Sequence, residues 1–273
     1  MKNLFESWKY ILRNIWFVLP FAIFPAVFLA LSLDYTAINA LVRGFFTGAP
    51  RLHFVEYFRA WSLIRIDSIL GGIYSLLAFL FVVFSAALML AFVEKHMRIG
   101  KRTFSGIGSG LTAVLSGAFV ITLVYVLLYE TWALIFSAVL FLVAGITVTP
   151  LVYIFGIAAF LFFTYALLFV LTVFYLWLPC RQVTGFGFYD AFLYSYRLMV
   201  GIRWKLVLSY LISIAVTFLI LGSAALLPEF VFRIIGVVVL AILFLSFCIR
   251  METAYFETDK LDREDLLQSY KGY

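Results

Sequence analysis

Charge is scarce in this sequence. Asp, Glu, Lys and Arg make up 12% of 273 residues, about half the share a soluble domain carries, while 66% are hydrophobic. That excludes a soluble globular fold and leaves a polytopic membrane protein. Histidine and cysteine are scarcer still. His53, His96, Cys180 and Cys248 are too few and too widely spaced for a metal-site pattern, and the two cysteines, at the ends of apolar runs, read as small packing residues. No Gly-rich phosphate loop, nucleophile elbow or His-Glu-x-x-His pair occurs, so the common hydrolytic and nucleotide-binding chemistries lack their residues and no cofactor is expected.

Apolar runs fill the chain instead, with an aromatic share of 20% that exceeds what interfacial belts need. The net charge of +6 comes from small basic groups flanking those runs, a pattern that suits anionic headgroups rather than nucleic acid. Residues 2–13 form an amphipathic arm, with Leu4, Trp8, Ile11 and Leu12 on one face and Lys9 and Arg13 on its flank. Its length, Glu6 and Trp8 set it apart from a cleaved signal peptide. The arm feeds a first span in which Pro20 and Pro25 are expected to kink the helix. Residues 34–68 read as an outer interfacial cap of two short helices, 36–46 and 51–66. Arg51, His53 and Arg59 make it a candidate anion site; a solvated face with a Glu56–Arg59 pair is the plainer reading.

Between residues 111 and 179 hydrophobicity pauses only at 129–132 and 145–150, which allows two long helices or three short ones. Parity decides. With two, 15 of the 20 Lys and Arg lie on the side of the N-terminus and 5 on the other; with three the split becomes 8 and 12. The positive-inside rule selects two. Six spans follow, about 15–33, 69–93, 112–136, 151–179, 206–227 and 231–250, with both termini inside. Glu130, near the outer end of the third span, is then a candidate intramembrane polar site with Arg233 as an available partner. Residues 1–251 form one membrane domain and 252–273 a charged cytoplasmic tail.

A further arm, 188–205, places Phe192, Tyr196, Met199 and Val200 on one face and Arg197, Arg203 and Lys205 at the phosphate level, with Asp190 as its expected cap. With Ser7 set against Ser195, Trp8 meets Tyr196, Lys9 meets Arg197, Ile11 meets Met199 and Trp16 meets Trp204. A fainter outline at 104–119 makes a third copy. The fold class is therefore all-α integral membrane: six transmembrane helices in three hairpins, each preceded by an amphipathic interfacial arm, N-in and C-in.

Ala191, Phe192, Ser195, Leu198, Gly201 and Trp204, with Tyr255 near the end of the last span, follow the arm pattern Ala-Leu-x-x-Ser-x-x-Leu-x-x-Gly-x-x-Trp, with Phe in the second place. In this the chain resembles the membrane domain found with some bacterial glycerophosphodiester phosphodiesterases and its uncharacterised stand-alone relatives. The match is specific around this arm and an outline elsewhere. It implies about six spans in a bacterial cytoplasmic membrane. These residues include no counterpart of the phosphodiesterase domain, so that activity is not implied.

Three function classes fit. A non-enzymatic bundle that binds lipid or a protein partner, in envelope or membrane organisation or as an accessory subunit of a transport system, accounts for the arms, the aromatic excess and the shortage of buried charge. A stand-alone small-molecule or ion transporter would use Pro20, Pro25, residues 147–150 and the Gly/Ser-rich third helix as moving or polar parts. An integral-membrane enzyme would have to rest on Glu130 or the cap carboxylates. A water-filled cavity lined by Glu130, Thr122 or Tyr125 would favour transport. Candidate contacts to anionic phospholipid are Lys9, Arg13, Arg197, Arg203 and Lys205, and the tail and arms offer a surface to a protein partner.

Overall fold

The computed structural model describes residues 2–48, 52–102, 107–146 and 148–266. The described residues are helical, without strands: α1 (Lys2–Ser32), α2 (Tyr35–Thr47), α3 (Phe54–Trp61), α4 (Ile69–Ile99), α5 (Ile107–Ala144), α6 (Thr149–Leu171), α7 (Trp177–Thr184), α8 (Phe188–Met199), α9 (Arg203–Ala224) and α10 (Glu229–Thr258). A 3-10 turn, Thr172–Phe174, lies between α6 and α7. Six helical stretches are long and apolar enough to cross a membrane, as a multi-pass membrane protein requires: Phe5–Ser32, Ile69–Ile99, Val114–Ala144, Thr149–Thr184, Arg203–Ala224 and Glu229–Thr258. The interval 111–179 thus holds two such stretches.

The first and last of these helices are neighbours. α1 makes its widest contact with α10 and the next widest with α4, while α5 packs between α4 and α6, and α9 between α6 and α10. Small residues set this arrangement. Ala22, Ala26 and Ala30 recur every four residues on the buried face of α1, and a Cβ on Gly236 of α10 would stand only 3.4 Å from that of Ala30. Close approach of two backbones substitutes for a hydrophobic drive that lipid does not supply. Gly117 of α5 does the same for α7, since a side chain there would meet Arg181 and Leu178. Many large apolar side chains face outward, among them Trp16, Ile69, Leu142 and Leu219, the placement expected of a lipid-facing surface.

One end of the bundle carries the cap, where α2 matches the first short helix read from periodicity, while α3 covers only 54–61 of the expected 51–66 and the chain from Ser62 to Ser68 is irregular. The other gathers residues 2–14, 94–102, 177–205 and 250–266, and the largest core cluster lies toward it, built from α1, the second half of α4, α7 and the end of α10. Two smaller clusters lie beneath the cap, one centred on Tyr57, Trp132 and Phe136 and the other on Ala225 and Phe232.

Three local expectations change. The break in α1 falls at Asn14 (φ −121°, ψ 17°) and at neither proline. Asn14 turns its side-chain amide onto the Tyr10 carbonyl at 3.0 Å, a local bond that competes with the helix ladder. α8 starts at Phe188 with Gly187 at its cap, which puts Asp190 in the first turn, where its charge still favours the helix. α10 runs past Arg250 to Thr258, and residues 250–256 are buried rather than part of a solvated tail. Beyond α10 Leu261 is exposed and Leu266 half-buried, while Leu267 lies outside the described residues.

Candidate functional site

Glu130 is occupied. Its carboxylate accepts from the Ser62 hydroxyl at 2.8 Å and from the Leu63 and Ile64 amides at 2.8 and 3.2 Å, so it staples the irregular stretch after α3 onto α5. Arg233 lies elsewhere: it pairs with Glu229 at 2.8 Å and donates to the Ala30 and Leu33 carbonyls, joining α10 to the end of α1. Arg59 donates to Asp34, with a closest approach of 2.6 Å, and to Asp67 at 3.1 Å, and Arg65 reaches Asp67 at 2.8 Å. Burial pushes the Asp34 carboxyl up, but hydrogen bonds from Thr36, the Ala37 amide and Arg59 outweigh it and hold the group below its usual value. Asp67 is held low mainly by the hydrogen bond from Arg65, against burial. His53 is exposed at the start of α3, its amide bound by Glu56 at 2.9 Å. Arg51 lies outside the described residues. Arg59 and Arg65 are thus each paired with a carboxylate of the cap.

The basic residues of the arms fall into two separate groups. Arg203 packs over the Phe169 and Tyr196 rings, at 4.9 and 5.4 Å, while Arg197 and Lys205 are exposed along α8 and the start of α9. Lys9 and Arg13 instead line a cavity of about 660 Å3 between α1, the end of α4 and residues 263–266. Its other walls are Glu6, Tyr10, Asn14, His96, Gly100, Arg102, Arg263, Asp265 and Leu266.

Each wall has a local cause. Gly100 ends α4 in the left-handed conformation (φ +74°), turning the chain so that Arg102 comes back over the Phe17 ring at 4.9 Å. Tyr10 and His96 share a 2.7 Å hydrogen bond that fixes α1 to α4. Arg263 pairs with Asp265 at 2.9 Å and approaches Glu6 at 3.6 Å, holding the C-terminal segment against the arm. Among the described residues no carboxylate pairs with Lys9, Arg13 or Arg102, which are exposed at the cavity. Asn14 Oδ1 is buried in its wall with no hydrogen-bond partner.

A second group escaped the sequence reading altogether. Arg250 is fully buried, donating to Ser209 and Ser246 at 2.8 Å each and lying 4.5 Å from the Tyr210 ring. Glu252 is fully buried, and neither of its oxygens finds a protein partner. The span expected from composition stops at the first charges, yet Met251, Ala254 and Tyr255 continue the buried face of α10 at helical spacing. That periodicity was the signal available. Nearby the Tyr175 and Tyr210 hydroxyls bond one another, and Tyr175 reaches the Phe247 carbonyl at 2.9 Å. Tyr125 stands edge-on to Phe247, with ring centroids 5.8 Å apart.

Cys180 and Cys248 are buried and unbridged, and no group of His, Cys, Asp or Glu among the described residues is placed to hold a metal. No family model matches the chain, and neither does any curated protein or solved structure.

Proposed function

We propose that this protein is a non-enzymatic bacterial membrane protein that binds lipid at its arm end. Membrane or envelope organisation, or an accessory place in a transport system, would be its role. In this reading it spans the cytoplasmic membrane as three hairpins, with arms and both termini inside, because that orientation puts three-quarters of its Lys and Arg on the inner face. The carrying observation is that Glu130, the acid a transport path would use, is bound by the cap.

Two further features support it. Ser7 and Ser195 are both fully buried, Ile11 and Met199 both face the core, and Trp16 and Trp204 both point outward. The helix breaks at Asn14 and at Ile202, with φ of −121° and −119°, fall at equivalent places in the same register. Two arms that repeat one design suit a shared task at the headgroup level. The resemblance to the phosphodiesterase-associated membrane domain is in keeping with it.

A transporter is the second reading, and the buried Arg250 and Glu252 favour it, since ionisable groups inside a membrane bundle commonly mark an ion path. Water access separates the two. Ser85 of α4 and Thr164 of α6 are buried within spanning helices. Single cysteines at these positions, in a protein with Cys180 and Cys248 replaced by Ser, are expected to resist a small membrane-impermeant thiol reagent from both sides of a vesicle. Rapid labelling of either would reveal an aqueous cavity and favour transport.

A further inference from the structure

The cavity between α1, the end of α4 and residues 263–266 has more cation than the fold needs. Four basic side chains line it against two carboxylates, Glu6 and Asp265, and Arg263 engages both of these. Lys9, Arg13 and Arg102 are left facing the same space without a carboxylate partner among the described residues. Three like charges gathered without an anion repel one another, and a bound anion would reverse the sign of that interaction. At about 660 Å3 the space is of the size that takes a small organic molecule and far exceeds a lone phosphate. In its wall Asn14 Oδ1 is a buried acceptor with no protein donor; a buried acceptor without a partner is costly, and a hydroxyl on the ligand would satisfy it.

The surface beside the cavity says what else the ligand carries. Phe5 and Leu12 share one line of α1, exposed at 70% and 71%, and Trp16, 83% exposed, follows just past the break at Asn14. Lys9 and Arg13 stand on the helix between that line and the cavity wall formed by Glu6, Tyr10 and Asn14. Going round the helix, the order is therefore apolar surface, cationic rim and polar cavity. That order matches the chain, phosphate and outer headgroup of a phospholipid.

We propose that this cavity seats the headgroup of an anionic phospholipid: its phosphate at Lys9, Arg13 and Arg102, a headgroup hydroxyl at Asn14, and its acyl chains along Phe5, Leu12 and Trp16. The assignment rests on the lipid-binding reading above and names its site. It makes the other basic group, Arg197, Arg203 and Lys205, a surface contact only.

The test uses the full chain in mild detergent, with lipid retention read by native mass spectrometry. The probes are phosphatidylglycerol, phosphatidylcholine and phosphatidylmethanol of equal chain length, and glycerol 3-phosphate. Phosphatidylglycerol is expected to bind about tenfold tighter than phosphatidylcholine, with phosphatidylmethanol, which has the charge but no hydroxyl, several-fold weaker than phosphatidylglycerol. Lys9→Gln/Arg13→Gln, at two exposed positions, is expected to abolish the preference, whereas Arg197→Gln/Lys205→Gln keeps it. The proposal is overturned if the preference survives in Lys9→Gln/Arg13→Gln and in Arg102→Gln, or if phosphatidylmethanol binds as tightly as phosphatidylglycerol. It is also overturned if glycerol 3-phosphate competes at the concentration of the lipid, which would mark a site for a soluble ester. Loss of preference only in Arg197→Gln/Lys205→Gln would remove the cavity site and leave lipid binding by the other arm. Thiol labelling at Ser85→Cys or Thr164→Cys would instead remove the packed-interior reading without touching the cavity.

Discussion

At the cap, Arg59 and Arg65 meet Asp34 and Asp67 at 2.6 to 3.1 Å, and Glu130 is taken up by three donors from the stretch after α3. At the opposite end Lys9, Arg13 and Arg102 face a cavity with no carboxylate partner among the described residues, while an uncharged contact beside them, Tyr10 to His96, fixes α1 to α4. The same residue types thus serve two ends. In the cap they close irregular backbone that has no helix ladder of its own to satisfy it; around the cavity Arg263 is engaged by Asp265 and Glu6, and Lys9, Arg13 and Arg102 are left available to a ligand. The distinction is one of partners, not of composition.

That comparison can be broken experimentally. Glu130→Ala would leave the Leu63 and Ile64 amides without their acceptor and is expected to cost about 3 kcal/mol, measured by unfolding in detergent. A loss below about 1 kcal/mol would mean that Glu130 is no staple. Asp34→Asn should cost about 2 kcal/mol, since it weakens the link from the end of α1 to Arg59 of α3. It should also change the acid response. Because the folded Asp34 carboxyl sits below its ordinary 3.8, its contribution is complete above about pH 4 and fades as the pH falls through the lower, folded value. Wild-type protein should therefore lose cap stability on acidification by a component that Asp34→Asn lacks; parallel acid curves for the two would refute it. The smallest effect is expected at the other end. Without added lipid, Lys9→Gln/Arg13→Gln should shift stability by less than about 0.5 kcal/mol in either direction, as these exposed cations pair with nothing described. A loss of several kcal/mol there would make the cavity charges structural and erase the contrast between the two ends.

Much of the architecture was legible because it rests on composition and period. The cap helices follow from helical periodicity, and the two-helix solution for 111–179 from apolar runs long enough to span and too poor in charge to sit in water, together with the balance of Lys and Arg. The site was less legible. Lys9 and Arg13 were visible as basic residues on an arm, but so were Arg197, Arg203 and Lys205, and spacing alone cannot separate two equivalent arms. Only the first is met by the end of α4 and by residues 263–266. Glu130 was visible as an acid in an apolar run, whereas its partners come from Ser62, Leu63 and Ile64, far away in the chain and two of them backbone amides that no pattern of side chains announces.

The sequence by itself determined that the chain is helical with six stretches long and apolar enough to cross a membrane, because the cost of leaving backbone and charge in hydrocarbon is local and shows in every such stretch. Tertiary structure decided which charges are satisfied. It brought the first and last helices together through Ala22, Ala26, Ala30 and Gly236, buried Arg250 and Glu252 in a helix that outlasts its apolar run, and closed a cavity around Lys9 and Arg13 with His96, Arg102 and Arg263. Those outcomes depend on contacts between residues remote in the chain, and such contacts are set by packing.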